Sequence, residues 1–244
     1  MHRKTANHAS RQQRGVALFV VIIFVMLSML LALWASRTSL FNELVVGNDA
    51  DYQRAYEAAQ ALLQDAELDI RGEKADGTVC TGQDNVCRTS TTAKIPLETQ
   101  EIAPLLSSLG TGCSQGLCGK RGDKQDFWNN SDERLGLTLA QLTTAGVGAR
   151  YGQYTGASLG STSKPANPIL ADTSAADRGG WYWIEVLPYL NTKNMGLIAD
   201  TPTNLLSLNL KPYVVYRITA LAYGRKPNTM VVLQQTYAQQ KRKN

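Results

Sequence analysis

With 244 residues and 43% hydrophobic side chains, the chain can bury one ordinary core with something added, or two small ones. Its net charge of +5, from 25 Lys and Arg against 20 Asp and Glu, is concentrated at the start. Arg3, Lys4, Arg11 and Arg14 precede any acid, so the basic balance does not mark a nucleic-acid-binding surface. Both histidines, His2 and His8, lie in the same segment; once it is removed, a Ser-His-Asp triad, a Cys-His pair and any His-ligated metal are excluded.

Residues 16–35 read VALFVVIIFVMLSMLLALWA, with Ser28 the sole polar side chain. At the helical rise this run spans about 30 Å, the hydrocarbon thickness of a bilayer, and predicts a transmembrane helix within 16–36. The basic cluster before it predicts a cytoplasmic N-terminus. A secretory signal would have a shorter apolar core and a small residue before its cleavage site, where this chain has Leu33 or Trp34. A plain membrane anchor fits. A third reading places cleavage before the apolar run, at a glycine that ends a short basic leader. Gln13-Arg14-Gly15 followed by Val16-Ala17-Leu18 has those marks.

Beyond the apolar run the helical period continues. Phe41, Leu44, Val45, Tyr52, Ala55, Tyr56, Ala59, Leu62, Leu63 and Ala66 fall on one side; Asn42, Glu43, Asp49, Asp51, Gln53, Arg54, Glu57, Gln60 and Asp65 fall on the other. No proline interrupts residues 16–70, and Gly47-Asn48 is the one place where a bend is easy. A helix of this length, apolar all round in its first half and amphipathic in its second, suits a subunit that leaves the bilayer for a helical bundle.

On Arg14-Gly15-Val16-Ala17-Leu18 with its apolar run, and on Ala55-Tyr56-Glu57-Ala58-Ala59-Gln60-Ala61-Leu62-Leu63-Gln64-Asp65-Ala66-Glu67, the chain resembles type IV pilins and, more narrowly, PilX-type minor pilins. The resemblance implies that a prepilin peptidase cuts after Gly15 and that Val16 becomes an N-methylated first residue. Two departures follow: most pilins begin with an aromatic where this chain has Val16, and most carry Glu at the fifth mature position, here Val20. In the family that carboxylate is thought to neutralise a neighbour's amino terminus inside the apolar bundle. An ammonium buried without a counter-charge is costly. A subunit with Val20 is therefore expected to prime assembly or sit near the tip.

The middle of the chain is rich in turn formers and carries all four cysteines, Cys80, Cys87, Cys113 and Cys118. Their spacings match no common zinc site, and the helix topology places them outside the cytoplasm, where thiols oxidise. Disulfides are expected; of the three connectivities, pairing of sequence neighbours, Cys80 with Cys87 and Cys113 with Cys118, is the expectation. Short helices are expected near Ala103–Leu109 and Leu135–Leu142, and the Gly/Ser/Thr/Ala/Pro-rich stretch 146–180 reads as a long loop or as irregular strands with many turns. Residues 181–190 read as a strand. Residues 212–224 and 229–239 flank the turn Gly224-Arg225-Lys226-Pro227-Asn228 as a hairpin. Val214, Tyr216, Ile218 and Ala220 share one face of its first strand.

Several motifs have plainer readings. Arg121-Gly122-Asp123 matches an adhesion tripeptide and also an ordinary turn; Ser161-x-x-Lys164 lacks the partners a penicillin-binding enzyme needs. Asn129-Asn130-Ser131-Asp132-Glu133 lacks EF-hand spacing and reads as a polar turn. Trp181, Tyr182 and Trp183 read as core rather than a ligand platform.

The expected organisation is a cleaved leader (1–15), a long helix (16–70) and a head (71–244) closed by the hairpin 212–239. The fold class is α+β: a long N-terminal helix, hydrophobic then amphipathic, packed on a C-terminal antiparallel β-sheet, pilin-like. The expected function is a non-enzymatic minor pilin for type IV pilus assembly, supporting twitching motility and adhesion. No catalytic residue, cofactor or metal is expected. Its expected partners are other minor pilins and the major pilin through the N-terminal helix, prepilin peptidase, the inner membrane before assembly and an adhesin at the tip, with no nucleic acid. A minor pseudopilin of a type II secretion system, and a membrane-anchored periplasmic enzyme without histidine, are the alternatives.

Overall fold

Apolar side chains without a break for twenty residues, followed by a 3.5-residue apolar stripe, favour one helix over any turn. In the computed structural model α1 runs unbroken from Arg14 to Arg71, through Gly47-Asn48. The structure describes residues 14–81, 86–88, 93–109, 112–119, 127–130, 132–162, 165–188 and 214–239. The chain divides into two compact units, 1–49 and 50–244. In the first, the described side chains from Val16 to Val46 are exposed along the helix.

α1 stops where Gly72 takes a left-handed conformation, φ +66°. The Gly72 N–H donates to the Asp69 carbonyl at 3.1 Å and the Glu73 N–H to the Leu68 carbonyl at 2.9 Å. This is a Schellman closure, which satisfies carbonyls that the helix end leaves bare and favours glycine.

In the second unit, α2 spans Thr99–Leu109, starting four residues before the expected helix despite Pro104. Glu101 explains the earlier start: its carboxylate accepts from the Leu97 N–H at 2.8 Å and the Glu98 N–H at 3.4 Å, capping the first turn. The strands are β1 (Cys113–Ser114), β2 (Leu117–Cys118), β3 (Ala149–Arg150), β4 (Gly180–Pro188), β5 (Val214–Tyr223) and β6 (Met230–Tyr237). The helix expected over Leu135–Leu142 is not continuous. A 3-10 turn at Glu133–Leu135 is followed by one α turn, α3, at Leu139–Leu142, because Gly136 breaks the run and Thr138 caps a new start in a capping box with Gln141.

The sheet order is β1-β2-β4-β5-β6, with β3 also paired to β4. The fold is α+β as expected, but the sheet is mixed: β2 runs parallel to β4, pairing Leu117 with Ile184 and Cys118 with Glu185. The chain from β2 to β4 is long enough to cross over, which a parallel neighbour requires. The hairpin forms as expected, β5 pairing Ile218 with Gln235 of β6 around the turn 224–228. Residues 189–190 of the expected strand and 212–213 of the expected hairpin lie outside the described residues.

Each face of the sheet carries a core. On the α1 side Ala55, Ala59, Leu62 and Ala66 meet Tyr182, Ile184, Tyr216, Ile218 and Ala220. On the other side Trp181, Trp183, Leu221, Leu142 and Cys118 form a second cluster. The incomplete alternation of β4 and β5 follows from this, since strands covered on both faces read as continuous hydrophobic runs.

Candidate functional site: the N-terminal helix and its anchorage in the head

Gly15 and Val16 lie in the first turn of α1, and Val20 lies one turn further on with its side chain exposed. The first turn contains no acid. Two hydroxyls of this segment bond back to their own helix. The Ser28 hydroxyl donates to the Phe24 carbonyl, and the Thr38 hydroxyl to the Trp34 carbonyl at 3.0 Å. These two hydroxyls meet their hydrogen-bonding need within the helix, as a segment placed in lipid requires. It is long and apolar enough to cross a membrane and fits a membrane anchor. Residues 1–13 of the expected leader (1–15) lie outside the described residues, as does Arg121-Gly122-Asp123.

The second half of α1 anchors the head. Asp51, Ala55, Ala58, Leu62, Asp65 and Asp69 recur at alternating spacings of four and three, one buried stripe. The expectation that Asp51 and Asp65 face solvent is therefore corrected, as is that of Tyr52 for the core: Asp51 and Asp65 are each 2% exposed and Tyr52 50%. The three aspartates were missed because carboxylates on a helix are ordinarily solvated; the signal that could have found them is their 3.5-residue register with Ala55, Ala58 and Leu62.

Each aspartate holds a different part of the chain. Asp51 accepts from the Arg225 and Lys226 N–H groups in the hairpin turn, both at 3.0 Å. Asp65 accepts from the Gly152 N–H at 2.7 Å and from the Thr155 hydroxyl. Asp69 is gripped by Arg88 at 2.8 and 2.7 Å and accepts from the Tyr182 hydroxyl at 2.8 Å. The second loop is also held by the Ala75 N–H, which donates to the Thr155 carbonyl at 2.9 Å.

Burial pushes the Asp65 carboxyl up to about 6, against the pull of Thr155 and Gly152. Tyr182, wholly buried beside Asp69 and Asp65, is pushed well above the usual phenol range by desolvation and then by those charges. On the far face of the sheet, Glu185 of β4 accepts from its cross-strand partner Arg217 at 2.5 and 2.6 Å.

The cysteines pair as sequence neighbours. Cys80–Cys87 closes a loop of the segment after α1, with 5.9 Å between Cα atoms; Cys113–Cys118 staples β1 to β2 across a directly opposed pair, with 4.2 Å between Cα atoms. All four are consumed, so none is left for zinc. Among the described residues no group of three or more His, Cys, Asp or Glu could hold a metal. Trp181, Tyr182 and Trp183 are core, as expected. The polar run at 129–133 folds on itself: Asn130 donates to the Gly136 carbonyl at 2.9 Å, and Asp132 accepts from the Arg134 N–H at 3.0 Å.

One exposed apolar helix continuing into the buried stripe of an α+β head defines a type IV pilin. A family model described as PilX N-terminal matches residues 14–64, and one described as Type IV pilus assembly protein PilX C-term matches residues 114–239, more than half of the chain by itself. The chain belongs to the PilX family of type IV pilus assembly proteins and is a minor pilin, a structural subunit of the pilus. No curated protein and no solved structure matches it.

Proposed function

We propose that the chain is a minor pilin that primes type IV pilus assembly and stays at or near the tip. It is made as a single-pass inner-membrane protein with its head in the periplasm. Prepilin peptidase removes residues 1–15 by cutting after Gly15, and the new amino group on Val16 is methylated. The apolar helix then exchanges lipid for the helices of other minor pilins and the major pilin. Because both surroundings are apolar, the exchange changes hydrophobic burial little, and an assembly machine can drive it. The head supports twitching motility and adhesion, with a tip adhesin as a further partner.

The observation that carries this reading is Val20. A subunit lacking a carboxylate there supplies no counter-charge to a neighbour's buried ammonium. Repeated along a shaft that defect would recur at every contact; at the first subunits laid down it need not arise. Two measurements test the proposal. Intact mass in cells with and without prepilin peptidase should give a methylated chain beginning at Val16 and an uncut one, respectively. An epitope tag on the head should decorate pilus ends in few copies; uniform labelling at shaft abundance overturns the reading.

A further inference from the structure

The second half of α1 encloses an odd charge. Asp65 and Asp69 lie one turn apart on the buried stripe, and one guanidinium, that of Arg88, stands between the helix and the loops. Arg88 spends both its directed arms on Asp69, and its guanidinium carbon lies 3.7 Å from the centre of the Tyr154 ring. Tyr182 also gives its hydroxyl to Asp69. Asp65 receives only neutral donors, the Gly152 N–H and the Thr155 hydroxyl. The titratable groups that act on it are Asp69 on its own helix, Tyr151 from the loop and Tyr182 from β4, while Arg88 and Tyr154 of the same cluster act on Asp69. Among the described residues no cation is bonded to Asp65. Ionised, it is a buried surplus charge beside a like one.

We infer that Asp65 is a proton-operated latch between α1 and the loop 149–160: neutral, it holds the loop closed, and ionised, it loosens it. The bonding suits both states. The Gly152 N–H donates to Oδ2 in either state. As a carboxylate, Oδ1 accepts the hydrogen of the Thr155 hydroxyl; the added proton of the acid is donated to the same hydroxyl oxygen, whose own hydrogen rotates away. The neutral acid keeps both contacts without the desolvated charge, so the closed state binds a proton more tightly than the open one, where Asp65 meets water. The raised proton affinity that burial gives this carboxyl agrees with the geometry. A pilus subunit whose head lies outside the cytoplasm meets the pH of its surroundings directly, and this loop stiffens as that pH falls.

Hydrogen exchange of the full chain in lipid nanodiscs tests this, with rates corrected for intrinsic pH dependence. Peptides covering 149–160 should be about tenfold better protected at pH 5.0 than at pH 7.5. Peptides covering 224–226, tied to Asp51, should not share that gain. Asp65→Asn keeps one acceptor for Gly152 and one donor for Thr155 and carries no charge, so its loop should be equally protected at both pH values. Equal protection in the unaltered protein, or an undiminished pH response in Asp65→Asn, overturns the inference. A carbon-13 titration of the Asp65 carboxyl in the unaltered chain decides independently of the variant. A midpoint near 6 supports the latch, and one below about 4.5, the range of an ordinary carboxylate, overturns it.

Discussion

Arg88 closes on Asp69 with two parallel bonds, Nε to Oδ1 at 2.8 Å and Nη2 to Oδ2 at 2.7 Å, and both side chains are buried. The pair joins the last turn of α1 to the residue that follows the first disulfide. A planar fork matched to a carboxylate is the geometry in which a buried pair offsets its desolvation. Removing one partner strands the other charge. Arg88→Ala or Asp69→Ala should each lower stability by about 3–5 kcal/mol in urea unfolding. Arg88→Lys should not restore it, since an ammonium lacks the fork. A double apolar replacement, Asp69→Leu with Arg88→Met, should cost well below the sum of the single losses.

A β-carbon on Gly224 would collide with Oδ2 of Asp51 and with the side chain of Thr229. Gly224→Ala should therefore push the carboxylate off the Arg225 and Lys226 amides and cost about 1–3 kcal/mol. In an Asp51→Ala background the same change should cost measurably less, because one of its two clashes has gone while that with Thr229 remains. Additive losses in that double-mutant cycle would mean that the two residues do not act through each other.

The two disulfides close loops of similar, small size. The entropy of constraining so short a loop in the unfolded chain is worth about 2 kcal/mol for each bridge. Replacing Cys80 and Cys87 by Ser, or Cys113 and Cys118 by Ser, should lower the unfolding free energy by about that amount. A loss near zero for either pair would show that the unfolded chain already holds that loop closed.

Stability should carry the signature of Asp65 as a function of pH. Its folded-state value, about 6, lies above the ordinary 3.8, so its contribution is fully present below 3.8 and is lost as pH rises through 6. The span corresponds to about 3 kcal/mol. Asp76 and Asp172, held low by bonds from Thr78 and Ser174, act in the opposite direction as pH falls. Subtracting the profile of Asp65→Asn from that of the unaltered protein isolates the one group. The difference should fall steadily between pH 4 and 7, and a flat difference refutes the assignment.

Under the proposed assembly role, Val20 sets copy number. Val20→Glu restores a carboxylate at the fifth residue of the mature chain and should raise the number of tagged subunits per pilus. Counting labels by immunogold microscopy gives the answer; an unchanged count would remove Val20 from the explanation of tip position.

Much of α1 was legible in the sequence because a helix is a local object. Twenty apolar residues, then a 3.5-residue stripe without proline, leave one solution, and Arg14–Arg71 departs from the expected 16–70 by two residues at one end and one at the other. The β5–β6 hairpin was legible for a similar reason: a turn-forming pentapeptide stands between two β-rich runs. The cysteines pair with their sequence neighbours as expected, although the sequence alone allowed three connectivities.

What the sequence did not decide is which polar groups would be inside. Asp51, Asp65 and Asp69 sit on the buried stripe because three segments far along the chain, around 225, 152–155 and 88, bring donors to them, and no local pattern reports a donor 87 or 174 residues away. The parallel pairing of β2 with β4 and the second core around Trp181 and Trp183 were likewise settled only when the chain closed on itself. Local periodicity thus fixed the rod and the hairpin, whose energetics are internal to each segment. Tertiary closure fixed the buried charges, because a carboxylate can leave water only where partners from elsewhere in the chain replace it.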